Sequence, residues 1–410
     1  ATAQLPEGDE ALDCTYNYKV TATVTNAITD GSDSDVKVVV GEKTMTLKEL
    51  TTAGANGIIV SGEIKNLTKG NSVSIPLTSS VTNTATTQDK LVGNSYTIKI
   101  EPYTSGDKKA FSCKLHADST PLADKLIASG KLWQSGLEGD GYRYTGSGAV
   151  GTSTNPNNFI CFGTNKKSDC TANQDKYMYR VLGVFSDANG DNHVKLIKYK
   201  QLVSTTWNST NADVNWENST LYASLNGSGF LTNTTYDYLQ NTEWSNRIEN
   251  WKWSVVNTKT YSNSGPNYNN SLTPSQIYLH EMNRSTKTST VGEWTTPSAK
   301  IGLMYASDYT LSLGSSALAI TGGTYDNRAT LKTGWMHQSN NDTTKSSYEW
   351  TLSRTGAFSG DFYAWYVDGD GGVNGTIVNN SIGARPVFYL TSNQAFLSGE
   401  GSLDDPFLIQ

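Results

Sequence analysis

The sequence is short of charge. Of its 410 residues only 17% are Asp, Glu, Lys or Arg, and the formal net charge is −6. No basic run or basic-aromatic stripe occurs, which argues against a nucleic-acid partner. No apolar stretch approaches the roughly 20 residues that a membrane-spanning helix needs. Nothing at the start reads as a signal peptide, and "ATAQLPEGDEALDC" reads as a mature or trimmed terminus. Histidine is scarce too. His116, His193, His280 and His337 are the full set, and none sits in an H-E-x-x-H run or beside a nucleophile motif. G-x-S-x-G, P-loop and dinucleotide fingerprints are all missing. The many carboxylates do not single out a glycosidase-like pair. The expectation is a protein that is not an enzyme.

Asn, Thr, Ser, Gly and Tyr fill the place that charge leaves. With 36% hydrophobic and 10% aromatic residues, the chain is a folded protein. A polar, uncharged surface suits hydrogen bonding and stacking better than electrostatic steering. Four cysteines occur, Cys14, Cys113, Cys161 and Cys170. Cys14 and Cys113 bracket the first hundred residues, and Cys161 and Cys170 bracket the polar loop "FGTNKKSD". The simplest pairing is Cys14–Cys113 with Cys161–Cys170, although four cysteines permit three connectivities. Closing the longer loop stabilises by roughly 4–5 kcal/mol in the chain-entropy model. Such bonds imply an oxidising, extracytoplasmic setting. The alternatives are four reduced, buried thiols or, with less support, a zinc site, for which no C-x-x-C exists.

The length suggests two or three domains. Residues 1–117 carry "YNYKVTATVTNAI", "DVKVVVGE", "GIIVSGEIKNL", "SVSIPLTSS" and "SYTIKIEPY", separated by turn signals such as "DGSD", "TAGANG" and "TKGN". Short alternating strands at roughly ten-residue spacing predict an antiparallel, Ig-like β-sandwich that serves as a spacer. "TLKELTTAGA" predicts one helical turn. Residues 118–410 read as one large α+β domain. It opens on a helix over Leu122–Ser129, with Asp118, Ser119 or Thr120 as cap and Gly130 as its end. "YMYRVLGVF" and "HVKLIKYKQL" flank "SDANGDN", a hairpin with an Asn-Gly turn. Short helices are expected in "STLYASLNGSGFL" and "NTEWSNRIENWKW". "KIGLMYASDYTLS" reads as a buried strand, Leu313 to Tyr348 as long loops, and the remainder as strands.

The ordered blocks "YRVLGVF…VKLIKYKQL", "AKIGLMYASDY", "YEWTLSR", "FYAWYVDGDGGV" and "IGARPVFYLTS…GEGSLDDPFLI" resemble a C-type-lectin-like family of bacterial surface proteins. Its formylglycine-generating-enzyme subtype includes variable proteins diversified by retroelements. The resemblance covers about residues 122–410. It implies a C-type-lectin-like domain, a small mixed sheet with long loops and a ligand-facing surface near the C-terminus. Two departures stand out. The Glu-Pro-Asn or Gln-Pro-Asp and Trp-Asn-Asp motifs of calcium-dependent sugar lectins are missing. No cysteine follows Cys170, whereas the formylglycine-generating enzymes use a C-terminal cysteine pair.

In the last sixty residues Ala364, Tyr366, Val367, Ile382, Pro386, Phe388 and Leu390 are expected to fix the framework. The residues expected to face a ligand are Tyr363, Trp365, Asp368, Asp370, Asn374, Thr376, Asn379 and Asn380, joined by Trp335. Rigid aromatics with Asn, Ser and Gly follow the logic of paratopes, and a one-residue slip in register reverses the set. The plainer reading is of edge strands with polar turns. Calcium is weighed at Asp187, Asn189 and Asp191 and again at Asp368 and Asp370, but hairpin and turn chemistry account for both, so no cofactor is expected. Arg385, before a proline in an apolar strand, reads as a strut tied to a buried carboxylate or carbonyl, and Arg354 reads likewise. Sequons at Asn208, Asn218, Asn226 and Asn233 are what so much Asn, Ser and Thr produces by chance. The expected function is an extracellular, cell-surface recognition or adhesion protein that binds a protein or glycan on another surface. The alternative is a structural subunit of a pilus or filament, self-assembling, with the lectin-like domain as decoration.

Overall fold

In a computed structural model of the chain, the structure describes residues 2–4, 12–67, 72–74, 76–82, 88, 91–105, 109–115, 120–202, 204–212, 215–256, 271–282, 294–339, 348–358 and 361–410. His116, Asp118 and Ser119 therefore lie outside the described residues, as do parts of the expected Leu313–Tyr348 loops and the "TKGN" turn. The chain divides into two compact units, Ala1–Ala117 and Asp118–Gln410. Both are rich in antiparallel β-structure.

The first unit is built on a long strand, β1 (Leu12–Val24). It pairs with β4 (Ile58–Leu67), β6 (Tyr96–Pro102) and β7 (Phe111–Leu115) in one sheet. A second, three-stranded sheet holds β2 (Val36–Val40), β3 (Lys43–Thr46) and β5 (Leu77–Val81). Val20, Val36, Val38, Met45, Leu50 and Val60 belong to one buried cluster fed by both sheets. "TLKELTTAGA" forms the helix α1 (Leu47–Ala53), longer than the single turn expected. Its start is a capping box in which Thr46 and Glu49 each satisfy the other's backbone N–H. Cys14 and Cys113 face each other across β1 and β7 and are bonded.

The second unit opens on α2 (Leu122–Ala128), whose cap is Pro121. Its main sheet runs β8 (Trp133–Gln134), β9 (Tyr142–Arg143), β11 (Met178–Ser186), β12 (Asn192–Lys198) and β16 (Val387–Tyr389), with β10 (Phe159–Cys161) also on β11. The β11–β12 hairpin turns at Asp187–Asp191, where Gly190 takes φ 89°. Cys161 is bonded to Cys170. Both bonds fit an oxidising setting outside the cytoplasm. No helix among the described residues is long and apolar enough to cross a membrane.

Two expectations need correction. "KIGLMYASDYTLS" is not a strand throughout: the helix α4 (Ala306–Leu311) begins after Tyr305, because Asp308 accepts the Tyr305 backbone N–H and caps the turn. The stretch after Leu313 is not all loop, since short helices occupy Ser315–Leu318, Arg328–Leu331 and Trp335–Ser339. A further helix, α3 (Pro274–Glu281), starts with proline at its first turn and a Thr273–Gln276 capping box. A three-stranded sheet closes the unit: β13 (Glu349–Phe358), β14 (Asp361–Val367) and β15 (Val373–Ile377).

Candidate functional site

The register of β14 and β15 scatters the expected contact residues. Ala364 pairs with Thr376 and Tyr366 with Asn374, whereas Trp365 pairs with Gly375 and Tyr363 with Ile377. Directly paired residues of antiparallel strands point to the same side. Asn374 and Thr376 therefore share a face with Ala364 and Tyr366, and Tyr363 and Trp365 occupy the other. Trp365 sits on the central strand and is 1% exposed, within the main core. Trp335 is buried as well. Its Nε1 donates to the Tyr144 carbonyl at 3.1 Å, and the Arg180 guanidinium lies 4.3 Å over its ring. Neither tryptophan is a surface group. Asp368 is also buried, and its Oδ1 accepts the backbone N–H groups of Asp370 and Gly372. Tyr363, Asn374 and Thr376 are half-buried, and only Asp370, Asn379 and Asn380 of the set are fully exposed. Asn380 donates to Thr376 Oγ1. The paratope-like surface predicted from alternation is thus split and largely internal. At the other acidic turn, Asp187 Oδ1 accepts from Asn189 and Asp191 backbone N–H groups. Asn208, one of the sequons, is buried and donates to the Thr210 carbonyl.

A different place gathers the ionisable groups. A cleft of about 170 Å³ in the second unit is lined by Asp140, Arg143, Lys195, Trp251, Asp308 and Tyr389, among others. Its floor is the main sheet. Lys195 on β12 pairs with Gly183 on β11 and with Tyr389 on β16, and Arg143 on β9 pairs with the same Gly183. Gly183 is a requirement of this close approach: a Cβ there would lie 2.1 Å from the Tyr142 carbonyl oxygen. Helices α3 and α4 supply Glu281 and Asp308 from above the sheet.

The charges form one network. Arg143 Nε donates to both Asp140 oxygens at 2.9 and 3.0 Å, and its Nη1 donates to Asp308 Oδ1 at 2.9 Å. Lys195 Nζ donates to Asp308 Oδ2 at 2.5 Å. Burial alone would lower the pKa of Arg143, but Asp140 and Asp308 outweigh it and hold the guanidinium above its ordinary value. For Lys195 burial prevails over the attraction of Asp308, and its pKa falls. Burial would raise Asp308, yet Lys195 and Arg143 beside it keep its carboxyl below the usual range. Glu281 accepts the Ala306 and Ser307 N–H groups and the Ser353 hydroxyl, and burial pushes it up to about 6. Around this network stand aromatic rings. Trp251 stacks on Tyr389 with centroids 3.8 Å apart, and Tyr305 lies 4.3 Å from Lys195 Nζ.

None of these residues was singled out from the sequence. The signal was a lysine inside the apolar run "HVKLIK" on β12, a strand whose Lys195 has no exposed surface. Only Arg354 and Arg385 were read in that way, and both are buried. Arg385 is indeed tied to a buried carboxylate: Nε and Nη2 donate to the two oxygens of Glu349 at 2.7 and 2.9 Å. Larger hollows occur, of about 230 and 380 Å³ in the first unit and of about 270 and 480 Å³ in the second. None of the four draws together buried, opposed ionisable groups in the way that marks a functional cleft. Compared with protein-family models, curated proteins and solved structures, the chain matches none.

Proposed function

We propose that the chain is a bacterial cell-surface recognition protein, with the first unit a sandwich-type spacer and the second a lectin-like head. The observation that carries the binding role is the aromatic cleft over a charge-balanced floor. Trp251 is half-exposed and stacked on Tyr389, a rigid flat wall. Ser186, Lys252 and Ser254 add polar groups around it. A pocket for a whole drug-sized ligand holds roughly 300–1,000 Å³. The cleft is smaller, so it takes an end group. A flat wall with an amine donor and hydroxyl acceptors at its edge, the Ser186 and Ser254 protons being given to Asn192 and to the Glu281 carbonyl, fits a terminal sugar of a glycan. The cations and carboxylates of the floor are occupied by one another, which supports binding over turnover of a substrate. The disulfides and the uncharged, Asn- and Thr-rich surface support exposure outside the cell.

The purified chain is expected to bind a subset of a glycan array. Trp251→Ala is expected to weaken that binding at least about tenfold, the loss of one good stacking contact, with the far-ultraviolet circular dichroism unchanged. Undiminished glycan binding by the variant would move the site elsewhere. Wild-type protein that binds no glycan, or binds only proteins on a parallel array, would overturn the glycan reading. Binding to neither leaves the filament subunit.

A further inference from the structure

The geometry points to a covalent bond between Lys195 and Asp308: an intramolecular amide joining Nζ to Cγ, made by the protein itself. Four observations place the two groups for it. Their heavy atoms are 2.5 Å apart, and both side chains are 1% exposed. They come from different layers of the unit, β12 of the sheet and helix α4, separated by 113 residues. Four rings, of Tyr305, Tyr389, Phe185 and Trp253, lie 4.3, 5.3, 5.4 and 5.8 Å from Nζ and keep bulk water away. The second oxygen of Asp308 is held by Arg143 Nη1.

The chemistry balances without an oxidant or a co-reactant. A proton passes along the short hydrogen bond from Nζ to Oδ2, leaving a neutral amine and a neutral acid. Burial lowers the pKa of Lys195 and eases its side of the exchange, whereas Lys195 and Arg143 hold Asp308 ionised and oppose the other, so the neutral pair is the minor state that reacts. The amine lone pair then attacks Cγ, and the displaced C=O pair rests on Oδ1, where Arg143 stabilises the negative charge as an oxyanion donor does. The nitrogen gives up a proton, Oδ2 takes one, releases the Tyr305 backbone N–H that it had accepted and leaves as water, and the carbonyl reforms. The product is one amide and one water, which can exit through the cleft. Holding the reactants in contact supplies effective concentrations of about 10⁵ M or more, which offsets the ordinary reluctance of a carboxylic acid to form an amide in water.

The experiment is an intact-mass measurement on the denatured, non-reduced wild-type chain. The expected mass is the sequence mass less the hydrogens of the two disulfides and less one water. Fragmentation is expected to give a branched peptide joining the segments around Lys195 and Asp308. Lys195→Arg keeps a cation beside Asp308 but has no amine to acylate, so it should regain the water, and its melting temperature should fall below wild type. A wild-type mass with no water lost, or a loss of water that persists in Lys195→Arg, overturns the bond. The bond rests on the pair's geometry, independently of what the cleft binds.

Discussion

A lysine ammonium moved from water into a strand with no exposed surface loses several kcal/mol of hydration. Lys195 meets that loss with Asp308 at one side and aromatic rings at the others. Glu281, close by, makes a different compromise. Burial raises its carboxyl from 4.5 to about 6 against the pull of three hydrogen bonds. Because its folded value is the higher one, the folded chain binds the proton more tightly than the unfolded chain. Its contribution is fully present below pH 4.5 and is lost as pH rises through about 6. The change is about 2 kcal/mol, from about 1.4 kcal/mol per pKa unit. Urea denaturation of wild type and Glu281→Gln across pH 4–7 is the measurement. The stability of wild type relative to the variant should fall with rising pH by about that amount. A constant difference would mean that Glu281 titrates normally.

At the scale of the element, β14 shows why an alternating pattern misleads when both faces of a strand are covered. Ala364 and Trp365 are neighbours on opposite faces, and both are buried. Alternation then no longer separates core from surface. Trp365→Ala should therefore behave as a core truncation and cost about 3–5 kcal/mol in chemical denaturation. Tyr363→Ala, at a half-buried position two residues away, should cost about 1 kcal/mol. Equal, small costs at the two positions would restore Trp365 to the surface. The same reasoning applies to Arg385 and Glu349, which strap the last strands together from inside. A buried bidentate pair of this kind fixes geometry, since removing one partner strands the other's charge.

At the scale of the whole molecule, each unit has a core of its own. In the first, the Cys14–Cys113 bond closes a loop spanning 99 positions and ties β1 to β7 within one sheet. Replacing both cysteines with alanine should lower the stability of that unit by about 4–5 kcal/mol in the chain-entropy model. The near-ultraviolet circular dichroism of the tryptophans should be retained, because all ten lie beyond residue 132. Loss of the tryptophan signal together with the first unit would show that the two unfold as one. The second unit has a 9-position loop closed by Cys161–Cys170, and its stability rests mainly on one extended core.

Much of the fold was legible along the chain. The β-rich character, the hairpin at Asp187–Asp191 and the helix after Pro121 follow from local patterns of side chains and turn residues. Helix α4 was misread because Ile301, Leu303, Met304 and Tyr305 read as the start of a buried strand, and what starts the helix is the cap by Asp308, one of the polar residues that follow. The candidate site was scarcely legible. Its residues, Asp140, Arg143, Lys195, Trp251, Glu281, Asp308 and Tyr389, come from six separate elements and a loop, and each alone reads as an ordinary strand or helix residue.

The sequence by itself determined the β-rich character, the Asp187–Asp191 hairpin and which cysteines stand ready to pair, because those outcomes depend on neighbours a few residues apart and on simple bracketing. Only the tertiary structure decided that Trp335 and Trp365 face inward and that a lysine and an aspartate 113 residues apart meet with almost no exposed surface. The reason is physical: burial, desolvation and ion pairing are set by the atoms that surround a side chain in space, and strand register and sheet order, rather than position along the chain, choose those atoms.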